Sequence, residues 1–241
     1  MALVVKRFLQ FALLIVVLAF MWSCAPESKS SETASTEVKP APPEPAPPAP
    51  IDHALDNGRP IVAAFGDSLS AGFGADPGKS YPDYLQKLLD HNGFKYKVMN
   101  AGVSGDTTTD GVERMRPVIA TKPKIVVLEL GGNDGLRGLP IETTKANLEQ
   151  MILAFQAAGS KVVLAGMTLP RNYGPEYIHA FEQMYVELAK KYRLTRIPFL
   201  LTGVAQQAGL MQPDGIHPTA EGNEKVAQTV FEAIRPLLRV S

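Results

Sequence analysis

From residue 60 onward, short apolar runs alternate with segments whose apolar residues recur every three or four positions. Pro60-Ile61-Val62-Ala63-Ala64-Phe65 is the first run, and Ile61 to Phe65 predicts a strand. Tyr96–Asn100, Lys124–Leu130, Lys161–Gly166 and Arg196–Leu200 predict four more. Between them, Tyr81, Tyr84, Leu85, Leu88 and Leu89 share one helical face, and Gly93 stops that helix. Further helices are expected over Thr109–Ala120, with Pro117 weakening the second half, and over Thr143–Ala158, closed by Gly159. Glu176–Tyr192 is the next, and Pro218 opens a last helix over Thr219–Leu237 with Pro236 near its end. Near-continuous apolar strands alternating with helices predict a parallel sheet covered on both faces. One doubly wound, three-layer α/β domain with a central sheet of about five strands follows, and no repeat at a fixed period competes with it.

The chain before residue 51 follows a different pattern. Lys6 and Arg7 precede an apolar run from Phe8 to Trp22, which ends in Ser23-Cys24. A basic start, a short apolar stretch and a small residue describe an export signal. At about 15 residues the run is shorter than the roughly 20 that span a bilayer as a helix. The cysteine at its end resembles the lipobox of bacterial lipoproteins, although Met21 and Trp22 stand where Leu and a small residue are usual. The expectation is an exported, periplasmic lipoprotein anchored to a membrane through acylated Cys24. From Ala25 to Pro50 the chain turns to Pro, Ala, Ser, Thr and Glu without hydrophobic period, and such a stretch cannot bury a core. Extended, it would reach on the order of 80 Å. The organisation read from this is an export signal over 1–24, a linker over 25–50 and a folded domain over 51–241.

Composition narrows the partners. Lys and Arg total 24, Asp and Glu total 24, and the net charge is zero. The body has no run of basic residues, which argues against nucleic acid. A single cysteine excludes an intramolecular disulfide, so a domain of roughly 190 residues must be held by its core. Gly74-Ala75-Asp76-Pro77-Gly78-Lys79-Ser80 looks like a phosphate loop, but the glycine that motif requires is Phe73 here. The serine of Gly66-Asp67-Ser68-Leu69-Ser70 also lacks the following glycine of a nucleophile elbow.

The remaining chemistry gathers behind the strands. Ser68 follows the first, Gly105 the second, Asn133 the third, and Asp214 and His217 the last, so all converge on one sheet edge. Of the four histidines, His53 lies near the linker, His91 at a helix end and His179 within a helix. His217 differs, because Asp214-Gly215-Ile216-His217-Pro218 sets an acid three residues before the imidazole in a tight turn. That spacing lets a carboxylate hold Nδ1–H and turn Nε2 toward a hydroxyl, which a serine nucleophile needs. Asp214 could equally serve the turn itself. Gly105 can offer a backbone N–H, and Asn133 a side-chain amide, to a developing oxyanion. The acids and histidines lack a metal-ligand spacing.

Four motifs carry a resemblance: Gly66-Asp67-Ser68-Leu69-Ser70, Ser104-Gly105-Asp106-Thr107, Gly131-Gly132-Asn133-Asp134 and Asp214-Gly215-Ile216-His217-Pro218. In this order, and over most of residues 60–237, the chain resembles the SGNH (GDSL) hydrolases, a flavodoxin-like family. Glu129 to Gly138 and Leu169 to Gly174 look like its periplasmic thioesterase, arylesterase and lysophospholipase branch. The resemblance implies Ser68 as nucleophile, His217 as base and Asp214 as its orienter. It implies an oxyanion hole of the Ser68 N–H, the Gly105 N–H and the Asn133 amide, with no cofactor. The expected activity is hydrolysis of carboxylic esters and thioesters through an acyl-enzyme. An O-acetylesterase of polysaccharides or an acyltransferase would use the same site. The rival of another class is a non-catalytic module that binds lipid or envelope polymer. The substrate is a small-molecule or lipid acyl compound, and nothing in the sequence fixes the oligomeric state.

Overall fold

The computed structural model describes residues 58–239; the export segment, Cys24, the Pro-rich stretch and His53 lie outside the described residues. Strands β1 (Ile61–Gly66), β2 (Lys97–Gly102), β3 (Ile125–Glu129), β4 (Lys161–Ala165) and β5 (Thr195–Ile197) form one sheet. Their order is β2-β1-β3-β4-β5 and every pairing is parallel. The helices are α1 (Ser68–Ala71), α2 (Tyr81–His91), α3 (Thr108–Ala120), α4 (Gly132–Leu136), α5 (Ile141–Ala157), α6 (Pro175–Tyr192) and α7 (Ala220–Ile234). The α/β architecture is the one the periodicity predicts.

The strand sequences follow from their places in the sheet. Val62 to Phe65 of β1 and Ile125 to Leu128 of β3 are wholly buried, because helices cover both faces of the central strands. On the edge strand β2 the apolar run loosens, with Met99 and Ala101 buried and Asn100 exposed. Beyond the sheet, α2 packs on α7, while α5 packs on both α3 and α6. Right-handed crossovers place these two groups on opposite faces, since only the β1-to-β2 connection moves in its direction. The Phe65 ring meets Phe155 of α5 edge-on at 5.3 Å, and full burial of each such ring contributes about 1.5–3 kcal/mol.

The strand order reverses at β1, flanked by β2 on one side and β3 on the other. In doubly wound sheets ligands bind beyond the carboxyl ends of the strands at such a switch point. Ser68 follows β1 and Asn133 follows β3, so both belong to that crevice.

Several boundaries differ from expectation for local reasons. Helix α3 does end at Ala120 as expected, running unbroken through Pro117 because the burial of Met115 and Val118 offsets the missing N–H. Helix α7 stops at Ile234 and passes into a 3₁₀ turn over Arg235–Leu237, where Pro236 cannot continue the ladder. Strand β5 ends at Ile197, before Pro198, and a turn takes over in which the Leu200 N–H reaches the Gly166 carbonyl at 3.0 Å. The Asp214–His217 turn therefore follows a long irregular segment rather than the strand itself. An antiparallel bridge between Met211 and Pro218 pins that turn. Helices α1 and α4 stand where the sequence predicts only turns, each a single turn of helix that no periodicity could reveal.

Candidate active site

Ser68 opens α1, and Asp67 caps that helix by accepting from the Leu69 N–H at 3.1 Å. The Ser68 Oγ lies 2.9 Å from His217 Nε2, and His217 Nδ1 lies 2.7 Å from Asp214 Oδ2. Asp214 makes a separate set of contacts with each oxygen. Oδ2 orients the ring, while Oδ1 accepts from the Ile216 and His217 N–H groups at 2.9 and 3.0 Å and shapes the turn. Partial burial works to raise the Asp214 pKa, but the hydrogen bonds from His217 and Ile216 outweigh it and hold the carboxyl below its ordinary value.

The second strand's loop comes alongside. Gly105 has φ +88°, a left-handed conformation that favours glycine, and a capping box of Thr107 and Asp110 starts α3 directly after it. Arg137 Nη2 donates to the Gly105 carbonyl at 2.9 Å and ties this loop to α4. No described residue accepts the N–H of Ser68 or of Gly105. Asn133 Nδ2 donates to the Asp106 carbonyl at 2.9 Å and to Asp67 Oδ2 at 3.2 Å. The amide is thereby held where the loops after β1, β2 and β3 meet. The longer of its two bonds is the one an incoming oxyanion would compete with.

The structure brings together Ser68, His217 and Asp214 in one hydrogen-bonded relay, with Asn133 joined to the residue that precedes Ser68. Ser70, two residues on, is fully buried and bonded to Glu129 Oε2 at 2.8 Å and to the Tyr81 hydroxyl at 3.0 Å. It braces the loop and is not presented to a substrate.

Sequence reasoning left the support beneath the site unread. Glu129 ends β3, fully buried, and its Oε2 accepts from the Asp67 N–H at 3.2 Å. Gly66 is what lets it approach, since a Cβ there would stand 2.2 Å from that oxygen. Burial and then the neighbouring Asp67 charge push the Glu129 pKa well up, and burial raises Asp67 to about 6. Arg114 of α3 pairs with Asp106, donates to the Ala101 and Gly66 carbonyls at 2.8 and 2.7 Å, and lies over the Phe65 ring. Burial outweighs that pairing and leaves Asp106 raised as well. One signal was available for Glu129: a lone acid closing an otherwise apolar central strand.

A carboxyl whose pKa is raised by folding takes up a proton as the chain folds. Its contribution to stability is therefore most favourable at low pH and declines as pH rises from the unfolded value toward the folded one. Glu129→Gln, which keeps an acceptor for Ser70 and Asp67, should flatten the fall in Tm between pH 5 and 8. The variant should gain on the parent by on the order of 5 °C at the alkaline end. Parallel Tm curves across that range would show that Glu129 does not titrate with folding.

Beside Ser68 opens a cleft of about 330 Å³, walled by Leu136, Met167, Leu169, Phe199, Leu201 and Met211. Ser68, Asn133 and His217 also line it, among residues that are mostly apolar. Such a cavity suits a hydrocarbon chain that ends in a polar reacting group.

Comparison with known proteins agrees with this geometry. The profile of the GDSL-like Lipase/Acylhydrolase family matches residues 64–225. The chain is 43% identical over 174 residues to Esterase TesA of Pseudomonas aeruginosa, covering 72% of this chain and 87% of that protein. It is 36% identical over 174 residues to Thioesterase 1/protease 1/lysophospholipase L1 of Escherichia coli K12, covering 72% and 82%. A crystal structure of TesA superposes with a TM-score of 0.72 at 42% identity, over 74% of this chain and 99% of that one. Together with the serine after β1 and the Asp–His turn before α7, these matches carry one conclusion: the chain belongs to the GDSL-like (SGNH) lipase/acylhydrolase family and is an acyl-ester hydrolase.

Proposed function

We propose that this protein cleaves acyl esters and thioesters through an acyl-enzyme on Ser68. The observation that carries the reading is the unbroken relay Ser68 Oγ–His217 Nε2 and His217 Nδ1–Asp214 Oδ2, at 2.9 and 2.7 Å. Ser68 Oγ attacks the acyl carbonyl while His217 Nε2 takes its proton. Asp214 keeps the proton of Nδ1 in place and stabilises the imidazolium that forms. The Ser68 and Gly105 N–H groups and the Asn133 amide receive the oxyanion, and Asn133 gives up its longer bond to Asp67 to do so. His217 then returns the proton to the leaving oxygen or sulfur. In the second half a water molecule repeats the sequence and releases the acid. The apolar cleft holds the acyl chain.

The thioester half of this reading draws on the printed name of the E. coli relative. The N-terminal sequence supports export and a tether: signal over 1–24, linker over 25–50, catalytic domain over 51–241, with acylation of Cys24 holding the enzyme at a membrane facing the periplasm. More than one acyl chain is needed for stable anchoring, which lipid modification of an N-terminal cysteine supplies. Wild-type protein should incorporate labelled palmitate, and Cys24→Ser should lose the label. Retained label would remove the anchor from the account and leave the catalytic reading untouched.

Partitioning tests the acyl-enzyme. With the same acyl group on an aryl ester, an alkyl ester and a thioester, added hydroxylamine should divide the product between hydroxamate and free acid in one fixed ratio. A ratio that changes with the leaving group would mean there is no shared intermediate.

A further inference from the structure

Phe73 is among the large apolar residues most exposed in the described chain, at 48%, and it stands against His217. Its ring centre lies 4.6 Å from the imidazole, tilted by 40°. Leaving an aromatic ring half in water forgoes stabilisation that burial would give, yet this ring is held firmly in place. The Phe73 N–H donates to the Ser68 carbonyl at 3.0 Å, tying it to the nucleophile's helix. From the other side, Gln212 Nε2 donates to the Phe73 carbonyl at 2.7 Å and to the Pro218 carbonyl at 2.9 Å. The Gln212 N–H also reaches the His217 carbonyl at 2.7 Å. Phe73 is thus stapled to both catalytic loops, and the next residue, Gly74, is where Gln212 packs: a Cβ there would lie 2.2 Å from its Oε1.

The reaction assigns the space around His217. The oxyanion takes the side of Gly105 and Asn133, and the acyl chain takes the cleft, whose walls do not include Phe73. The leaving group has to sit where Nε2 can return a proton to it. The half-exposed Phe73 ring borders the imidazole, and it is not among the residues that line the acyl cleft. We propose that Phe73 is a specificity-determining residue, a shelf on which an aromatic leaving group stacks during acylation. This rests on the reading of Ser68 and His217 as nucleophile and base. Offset or tilted ring pairs at centroid separations of about 4.5–7 Å are favourable, and stacking that persists into the transition state raises kcat/KM.

The test uses full-length protein and two esters of one acyl group, phenyl and cyclohexyl, which match in size and differ in aromaticity. Because kcat/KM reports only steps through acylation, the leaving group is still present in what it measures. Phe73→Leu should lower the phenyl-to-cyclohexyl ratio of kcat/KM about 5-fold, and Phe73→Trp should keep or raise it. Phenol should inhibit the parent competitively and the leucine variant more weakly. Equal losses on both esters would make Phe73 a mere support for the imidazole, and unchanged rates on both would place the leaving group elsewhere. Either result overturns the shelf. Failure of the underlying reading is separate: it would appear as both esters being hydrolysed normally by Ser68→Ala.

Discussion

Ser68→Ala should fold as the parent does and lose turnover by on the order of 10⁴-fold or more. Alanine is at home in the first turn of α1, and the substitution keeps the backbone N–H that faces the oxyanion. The one side-chain hydrogen bond it removes is the 2.9 Å contact to His217. The Asp67 cap on Leu69, the Glu129 bracket beneath it and the acyl cleft all persist. KM for a soluble ester should therefore change little while kcat collapses, and the Tm should stay close to that of the parent. Steady-state kinetics on the purified variant, with a thermal melt, check both halves. A variant that retains a tenth of the activity would move the nucleophile elsewhere. Ser70 is a poor substitute, since Glu129 and Tyr81 occupy its hydroxyl in a sealed position.

The second large effect belongs to Asn133. Its amide is aimed into the junction of three loops by bonds to the Asp106 carbonyl and Asp67. Charge reaches it only when the carbonyl becomes tetrahedral. Asn133→Ala should lower kcat by roughly 10²–10³ and leave KM nearly unchanged. Asn133→Asp should be worse, because a carboxylate there faces both Asp67 and the oxyanion with like charge. Measured kcat and KM for the two variants decide the matter. A raised KM with kcat intact would make Asn133 a ground-state contact. The relay of Ser68, His217 and Asp214 would be unaffected by that outcome.

Much of this site can be read from the sequence, because each of its parts falls at a strand end and strand ends are where apolar runs stop. Ser68, Gly105 and Asn133 could be placed that way, and the Asp214–His217 spacing could be read from turn geometry alone. The apolar runs also fixed the layer order, since only central strands of a parallel sheet are buried on both faces. What escaped was set by contacts between segments distant in sequence. Helices α1 and α4 are too short for a 3.6-residue period to register; the Asp67 cap starts α1, and hydrogen bonds from Thr108 and Thr144 to Asp134 anchor α4. The constraint on Gly66 is Glu129, 63 positions later in the chain and visible only in three dimensions. Gln212 and Phe73 carried no motif, and their pairing spans 139 positions. The Asp214–His217 turn was expected to follow the last strand directly. It is held instead by the Met211–Pro218 bridge at the end of an irregular segment, an arrangement that no local pattern specifies.

The central claim is that Ser68 is the nucleophile and His217 its base. A p-nitrophenyl alkylphosphonate tests it directly, because the serine displaces p-nitrophenolate and the resulting phosphonyl-serine holds a tetrahedral centre where the ester's would form. Mass spectrometry of the full-length protein should find one alkylphosphonyl group per chain, on the peptide that carries Ser68. Ser68→Ala should take up none, and His217→Ala should label far more slowly. Label on Ser70 or Ser104, or undiminished label in Ser68→Ala, would contradict the account.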